Sequence, residues 1–248
     1  MAGRSVCRAC WRSAAGSDAR LEGGLMSGAA QPTRIKICGI ASVADAEAAA
    51  AAGANLLGLI FAPSSPRQVD VETARRVVAA VRGRCLTVAV FQDASVDAIN
   101  AVVAAVGCDY VQLHGRESPA MSGGLARPAI RAVIVEAETS EAEVRAWATA
   151  DNVAHLLFDR PKDVMGAGGR AGLERLWAAA QATPVGRRSF LAGGLSPDNV
   201  AEIVERWRPF GVDVASGVES APGRKDLERM QAFCRAVRAC GAAGEALR

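Results

Sequence analysis

From Thr33 onward the chain alternates short β-type runs with helical patterns, and it does so eight times. The β-type runs fall at about 34–38, 56–61, 86–91, 109–113, 129–135, 154–159, 188–192 and 211–215. Runs such as 56–61 are apolar throughout, as in a parallel strand covered on both faces. The segments between them carry helix punctuation. Ser42 heads an S-x-x-D capping box with Asp45, Asp70 precedes Val71, Ala74, Val77, Val78 and Val81 on one face, and Ser95 precedes Val96, Ile99, Val102, Val103 and Val106. Later helices are predicted over about 139–150, 172–182, 197–207 and 225–240, with a weak one near 117–126. Eight such units usually close into a barrel, so the predicted fold class is α/β, a (β/α)8 barrel in one domain. A doubly wound open sheet is the structural alternative.

At 248 residues the length suits one barrel and requires no second domain. The expected organisation is an extension over 1–32, the barrel over 33–240 and a flexible tail over 241–248. The extension is rich in Ala, Gly, Arg and Ser without sustained apolar periodicity, so it is expected to be disordered. It lacks the apolar core of a secretory signal. Its arginines and scarce acids (Asp18, Glu22) fit a transit peptide, but a start at Met26 behind an overextended gene model is preferred.

No apolar run approaches the ~18 to 20 residues of a membrane-spanning helix, so a soluble, cytoplasmic protein is expected, with no membrane partner. The net charge of +3 is small and its cations are scattered among acids, which argues against nucleic acid and leaves anionic small molecules as ligands. Seven irregularly placed cysteines do not form a disulfide framework. Cys7 and Cys10 make a C-x-x-C without a second pair and far from His114 and His155, so no metal site is predicted. No helix face is conspicuously apolar, which makes a monomer the default and a dimer the alternative.

A barrel carries its chemistry where its strands end. The first run ends in Lys36-Ile37-Cys38-Gly39, the second leads to Ser64-Ser65-Pro66-Arg67, the fourth ends in Gln112-Leu113-His114-Gly115 and the sixth at Asp159. After the seventh come Gly193-Gly194, with Ser196-Pro197-Asp198-Asn199 opening a helix. After the eighth come Ser216-Gly217-Val218-Glu219 and then Pro222-Gly223-Arg224-Lys225-Asp226. Glycines admit an anion close to the backbone, and a following helix N-terminus offers unpaired N–H groups, so loops seven and eight are the candidate phosphate cradle.

The strings RIKICGI, SPRQV, VAVF, VQLHGRE, LLFD, LAGGLSPDNV and VDVASGVES-PGRKD, in that order, closely resemble the phosphoribosylanthranilate isomerase family of the tryptophan pathway. The resemblance spans about 33–238. LAGGL or SGVE alone is shared by other phosphate-binding barrels; KICG, QLHG and GVDVASGVE together are specific. It implies an Amadori rearrangement of N-(5′-phosphoribosyl)anthranilate to the 1-deoxyribulose phosphate, with neither cofactor nor metal. Carried over residue by residue, it makes Asp159 the general acid and Cys38 the general base. It places Arg67 against the anthranilate carboxylate. His114 is implied to line the site or touch substrate. Asp213, grouped with the substrate-binding residues, is expected to point inward, where it supports the catalytic residues electrostatically or simply satisfies a buried network. Gly193, Gly194, Ser216 and Gly217 would hold the phosphate, together with Gly168 and Gly169.

Each catalytic role demands a shifted pKa. An aspartic acid near ~3.9 cannot donate a proton at neutral pH, and a thiol near ~8.5 is mostly protonated, so burial must raise the first and cations such as Lys36 or Arg67 must favour the thiolate. Taken alone, Cys38 reads as an inert buried thiol and Asp159 as a helix cap. One departure stands out: the family's GGTG-type stretch reads Gly166-Ala167-Gly168-Gly169-Arg170 here, without the threonine. The rivals are a related phosphosugar isomerase, typically with paired aspartates on strands one and five, and a phosphoribosyl-binding scaffold that has lost its chemistry.

Overall fold

The computed structural model describes residues 32–136, 139–161, 174, 177–181 and 188–243. Eight parallel strands close on one another in chain order, β1 pairing with both β2 and β8. They are β1 (Arg34–Cys38), β2 (Leu56–Ile60), β3 (Leu86–Phe91), β4 (Tyr110–Leu113), β5 (Ala129–Ile134), β6 (Val153–Asp159), β7 (Ser189–Leu191) and β8 (Gly211–Val214). The open-sheet alternative is thereby excluded. Because every strand runs the same way, Cys38, Leu113, Asp159 and Val214 ring a single mouth.

Side-chain alternation sorts each strand into two layers. Ile35 and Ile37 of β1 join Leu57, Leu59, Val111 and Val212 in the layer beneath the helices, where Ala46, Ala49, Val77 and Val103 meet them. Lys36 and Cys38 take the other face, inside the barrel. The helices start where the sequence punctuates them. Ser42 accepts from Asp45 N–H to begin α1 (Val43–Ala52), Asp70 accepts from Thr73 N–H before α2 (Val71–Val81), and Ser95 accepts from Ala98 N–H before α3 (Val96–Val106). Ser140 caps α4 (Glu141–Ala148), and α5 (Val200–Trp207) and α6 (Leu227–Ala243) follow β7 and β8.

The weak helix near 117–126 is a 3-10 segment, Pro119–Gly124, because a proline and two glycines in six residues oppose a full α-helix. The helix expected from 197 begins only at Val200; Ser196 N–H donates to Asn199 Oδ1, closing a turn ahead of it. An unanticipated hairpin, β9 (Glu219–Ala221) with β10 (Arg224–Lys225), rises from the loop after β8 and turns at Gly223, whose φ is 78°. α6 runs to Ala243, past the barrel boundary expected at 240.

The floor of the barrel is aromatic. His155 stacks on Phe210 at 4.8 Å and meets Phe190 edge-on at 5.6 Å, with Tyr110 at 6.0 Å. Gly211 leaves the space that the Phe190 ring fills. This closed end faces away from the polar mouth.

Candidate active site

The interior above the floor holds an ion pair. Lys36 Nζ donates to Asp213 Oδ1 at 2.9 Å, and the lysine side chain is wholly buried. Burial works against its charge, but Asp213, with Cys38 adding to it, offsets this and holds the Lys36 pKa above its ordinary value. Asp213, the sequence candidate on β8, is therefore occupied on one oxygen.

Cys38 lies one turn of the pleat further up β1. Its neighbour across the β1–β2 ladder is Gly58, where a side-chain carbon would sit 2.7 Å from Cys38 Sγ. A glycine on β2 thus makes room for the thiol. Burial pushes the Cys38 pKa up, and Asp213 adds to this, while Lys36 and Lys225 pull it down through their charge. The resting group is a neutral thiol with an ammonium beside it.

Asp159 ends β6, three strands from β1 around the ring. Burial pushes its pKa up to about 6, against the Arg160 backbone N–H that donates to Oδ1 at 2.7 Å. The charge on Asp213 adds to the rise, and Lys36 and Arg160 oppose it. About a quarter of the Asp159 side chain stays open to the mouth (24%), as an acid that meets a ligand requires. Cys38 and Asp159 thus both feel the one Lys36–Asp213 pair.

His114 stands beside Asp159, its Nε2 3.9 Å from Oδ2. Gln112 Nε2 lies 3.0 Å from His114 Nδ1. With the amide nitrogen donating, Nδ1 accepts and Nε2 carries the proton that faces Asp159. The loop beyond is fixed from below. Glu117 accepts from Gly115 N–H, Asp93 N–H and Arg131 Nη1, and Arg131 also reaches Gly115 O at 2.9 Å.

Arg67 is held in a fork. Its Nε and Nη2 donate to Glu219 Oε1 and Oε2 at 2.8 and 2.7 Å, while Lys225 Nζ donates to Oε1 at 2.7 Å and to Ala215 O at 3.0 Å. Gly39, at φ 78°, leaves the space that the Arg67 stem crosses. One edge of the guanidinium is spent on Glu219 and the Nη1 edge is left over. Glu219 and Lys225 were not assigned a role from sequence, although both sit in the matched strand-eight string; the Arg67 that Glu219 holds is 152 residues away.

Loops seven and eight interlock. Gly193 and Gly194 have φ of 85° and 84°, Asn199 Nδ2 donates to Gly194 O at 3.0 Å, and Gly217 packs so tightly on the Leu195 carbonyl that no side chain fits there. Ser216 opens a 3-10 turn on the same rim. Gly168, Gly169 and the loop-six departure lie outside the described residues, as do Cys7 and Cys10. Among the described residues no cluster of His, Cys, Asp or Glu is arranged to hold a metal ion, and no helix is long and apolar enough to cross a membrane.

Comparison with known proteins gives this geometry a lineage. The family model described as N-(5′-phosphoribosyl)anthranilate (PRA) isomerase matches residues 35–236. The N-(5′-phosphoribosyl)anthranilate isomerase of Myxococcus xanthus is 41% identical over 210 residues, covering 83% of this chain and 96% of its own. Among solved structures, a phosphoribosyl anthranilate isomerase in complex with reduced 1-(o-carboxyphenylamino)-1-deoxyribulose 5-phosphate superposes with a TM-score of 0.69 at 30% identity, covering 84% of this chain and 99% of that one. Monomers generated from the dimeric Thermotoga maritima phosphoribosylanthranilate isomerase give a TM-score of 0.70 at 29% identity with the same coverages. The chain belongs to the N-(5′-phosphoribosyl)anthranilate isomerase family.

Proposed function

We propose that this chain, an isomerase of tryptophan biosynthesis by its family, converts N-(5′-phosphoribosyl)anthranilate to 1-(2-carboxyphenylamino)-1-deoxyribulose 5-phosphate with Asp159 as general acid and Cys38 as general base. The observation that carries the assignment is the shared mouth: a carboxyl whose pKa burial has raised to about 6 and a thiol beside a buried ammonium, both at strand ends.

Asp159 gives its proton to the furanose ring oxygen as the C1–O bond breaks, and the anilino nitrogen lone pair forms the Schiff base. Cys38 takes the proton from C2, and that electron pair moves through C1 to neutralise the nitrogen, leaving the enolamine. Proton return to C1 with loss of the O2 proton gives the ketose. The Nη1 edge of Arg67 suits the anthranilate carboxylate, since Glu219 fixes the plane of the fork. His114 presents its Nε2 proton to the same mouth. Asp213 keeps Lys36 charged and so makes the Cys38 thiolate attainable. Gly193, Gly194, Ser216 and Gly217 supply the backbone amides of the phosphate end, with Gly168 and Gly169 assigned there from the resemblance alone. Every residue in this scheme comes from one chain, so a monomer suffices for the chemistry.

A two-aspartate mechanism has no support: β1 ends in Cys38, and β5, Ala-Ile-Arg-Ala-Val-Ile, contains no acid. The test is loss of anthranilate-type fluorescence when the purified protein meets freshly generated phosphoribosylanthranilate. Cys38→Ala and Asp159→Asn, each still folded, are expected to lose roughly 10²- to 10⁴-fold in kcat. An inert wild type that binds the substrate supports the scaffold reading; active variants remove the acid and base assignments.

A further inference from the structure

Arg160 follows the candidate acid directly, and the path of its side chain is unusual. Its Cγ lies 2.7 Å from where a side-chain carbon on Gly193 would be, and its Nη2 occupies the position of one on Gly194. The guanidinium is therefore laid across the double-glycine turn of loop seven, in space that two positive-φ glycines leave open. It is half-buried there, and no carboxylate or carbonyl among the described residues accepts from it. Among the described residues, Arg67 and Arg131 at the same mouth are each paired, with Glu219 and Glu117. A half-buried guanidinium laid on a glycine turn, with no carboxylate or carbonyl among the described residues accepting from it, suits an anion.

We infer that Arg160 is a phosphate-binding residue of this site, closing over the substrate 5′-phosphate from the loop-six side while the glycine amides of loops seven and eight hold it from below. This rests on the isomerase reading for the identity of the substrate but not for the presence of an anion. Arg160 also couples the two ends of the site. Its backbone N–H holds Asp159 Oδ1 while its side chain meets the phosphate, so a bound phosphate fixes the peptide that aims the acid. A phosphate also cancels the arginine's charge, one of the cations facing Asp159. Among the described residues the other groups facing that carboxylate are Lys36 of β1, Asp213 of β8 and His114, directly after β4.

The test compares wild type, Arg160→Ala and Arg160→Lys for competitive inhibition by inorganic phosphate and for KM and kcat with phosphoribosylanthranilate. Arg160→Ala is expected to weaken inorganic phosphate and raise KM by about ten- to a hundredfold. Arg160→Lys should recover part of both, as a point charge in place of a fork. With N-ribosylanthranilate, which lacks the phosphate, Arg160→Ala should lose far less relative to wild type than it loses with the phosphorylated substrate. Unchanged phosphate inhibition and KM in Arg160→Ala overturn the assignment, as does an equal loss with the phosphate-free substrate. Wild type that binds phosphate through Arg160 but does not isomerise the substrate keeps the assignment and overturns the isomerase reading.

Discussion

Cys38 and Asp159 titrate in an order that has a kinetic consequence. Burial leaves Asp159 ionising near 6 and keeps Cys38 a thiol above its ordinary value of 9.0, whereas the proposed reaction needs the acid protonated and the base ionised. The productive form is then a minor tautomer of the dominant one, in which the single proton sits on Asp159 and not on Cys38. Its fraction does not vary with pH between the two values. The expected kcat/KM profile rises through about pH 6, stays level, and falls only above pH 9. A decline with unit slope beginning at pH 6 would mean that Lys36 has already ionised Cys38, and steady kinetics from pH 5 to 10 decide between the two. At this scale the sequence offers candidates wherever a motif names its residue: KICG, LLFD and SPR point to Cys38, Asp159 and Arg67. It was silent on what the residues do to one another. The Lys36–Asp213 pair joins residues 177 apart on neighbouring strands, and a contact between the first and last strands of a closed barrel leaves no local pattern.

The loop after β2 and the hairpin after β8 form a single working element through Glu219. That carboxylate is buried, which by itself would raise its pKa, yet hydrogen bonds and charge from Arg67 and Lys225 hold it below the ordinary 4.5. A carboxylate depressed in this way stabilises the fold above its unfolded pKa, and the contribution disappears as pH falls through the folded value. Glu219→Gln should therefore cost on the order of 2 kcal/mol at pH 7 by urea denaturation, and the gap from wild type should narrow steadily below pH 4.5. With Arg67 no longer held in plane, KM should rise roughly tenfold and kcat should change less. A gap that persists at pH 3, or a kcat effect larger than the KM effect, contradicts the anchoring role. Element existence was largely readable, because Ser42, Asp70 and Ser95 cap their helices by local chemistry. The hairpin was not, since its two short strands match no period of useful length, and Gly223 turns against Pro66, a neighbour only in the fold.

Across the whole molecule the barrel separates two jobs along its axis. The mouth carries the partly open, charge-laden groups; the floor carries His155, Phe190, Phe210 and Tyr110 in mutual ring contact, with Phe190 fully buried in the room left by Gly211. Eightfold alternation made the closed barrel legible, but not which end each interior residue serves, because that depends on the stagger between strands. Phe190 sits three residues before Gly193, yet faces the floor's rings. Phe190→Ala is expected to lose about 3–5 kcal/mol of stability, since a ring-sized cavity would open between strands that cannot collapse into it. The same variant should keep kcat and KM within about threefold of wild type below its melting transition, because the Lys36–Asp213 layer lies between the floor and the proposed acid and base. Urea midpoints and steady-state kinetics on one preparation check both halves. A Phe190→Ala protein that keeps its midpoint but loses turnover would mean that the floor transmits strain to the mouth through β7, and that stability and chemistry are not divided along the axis of this barrel.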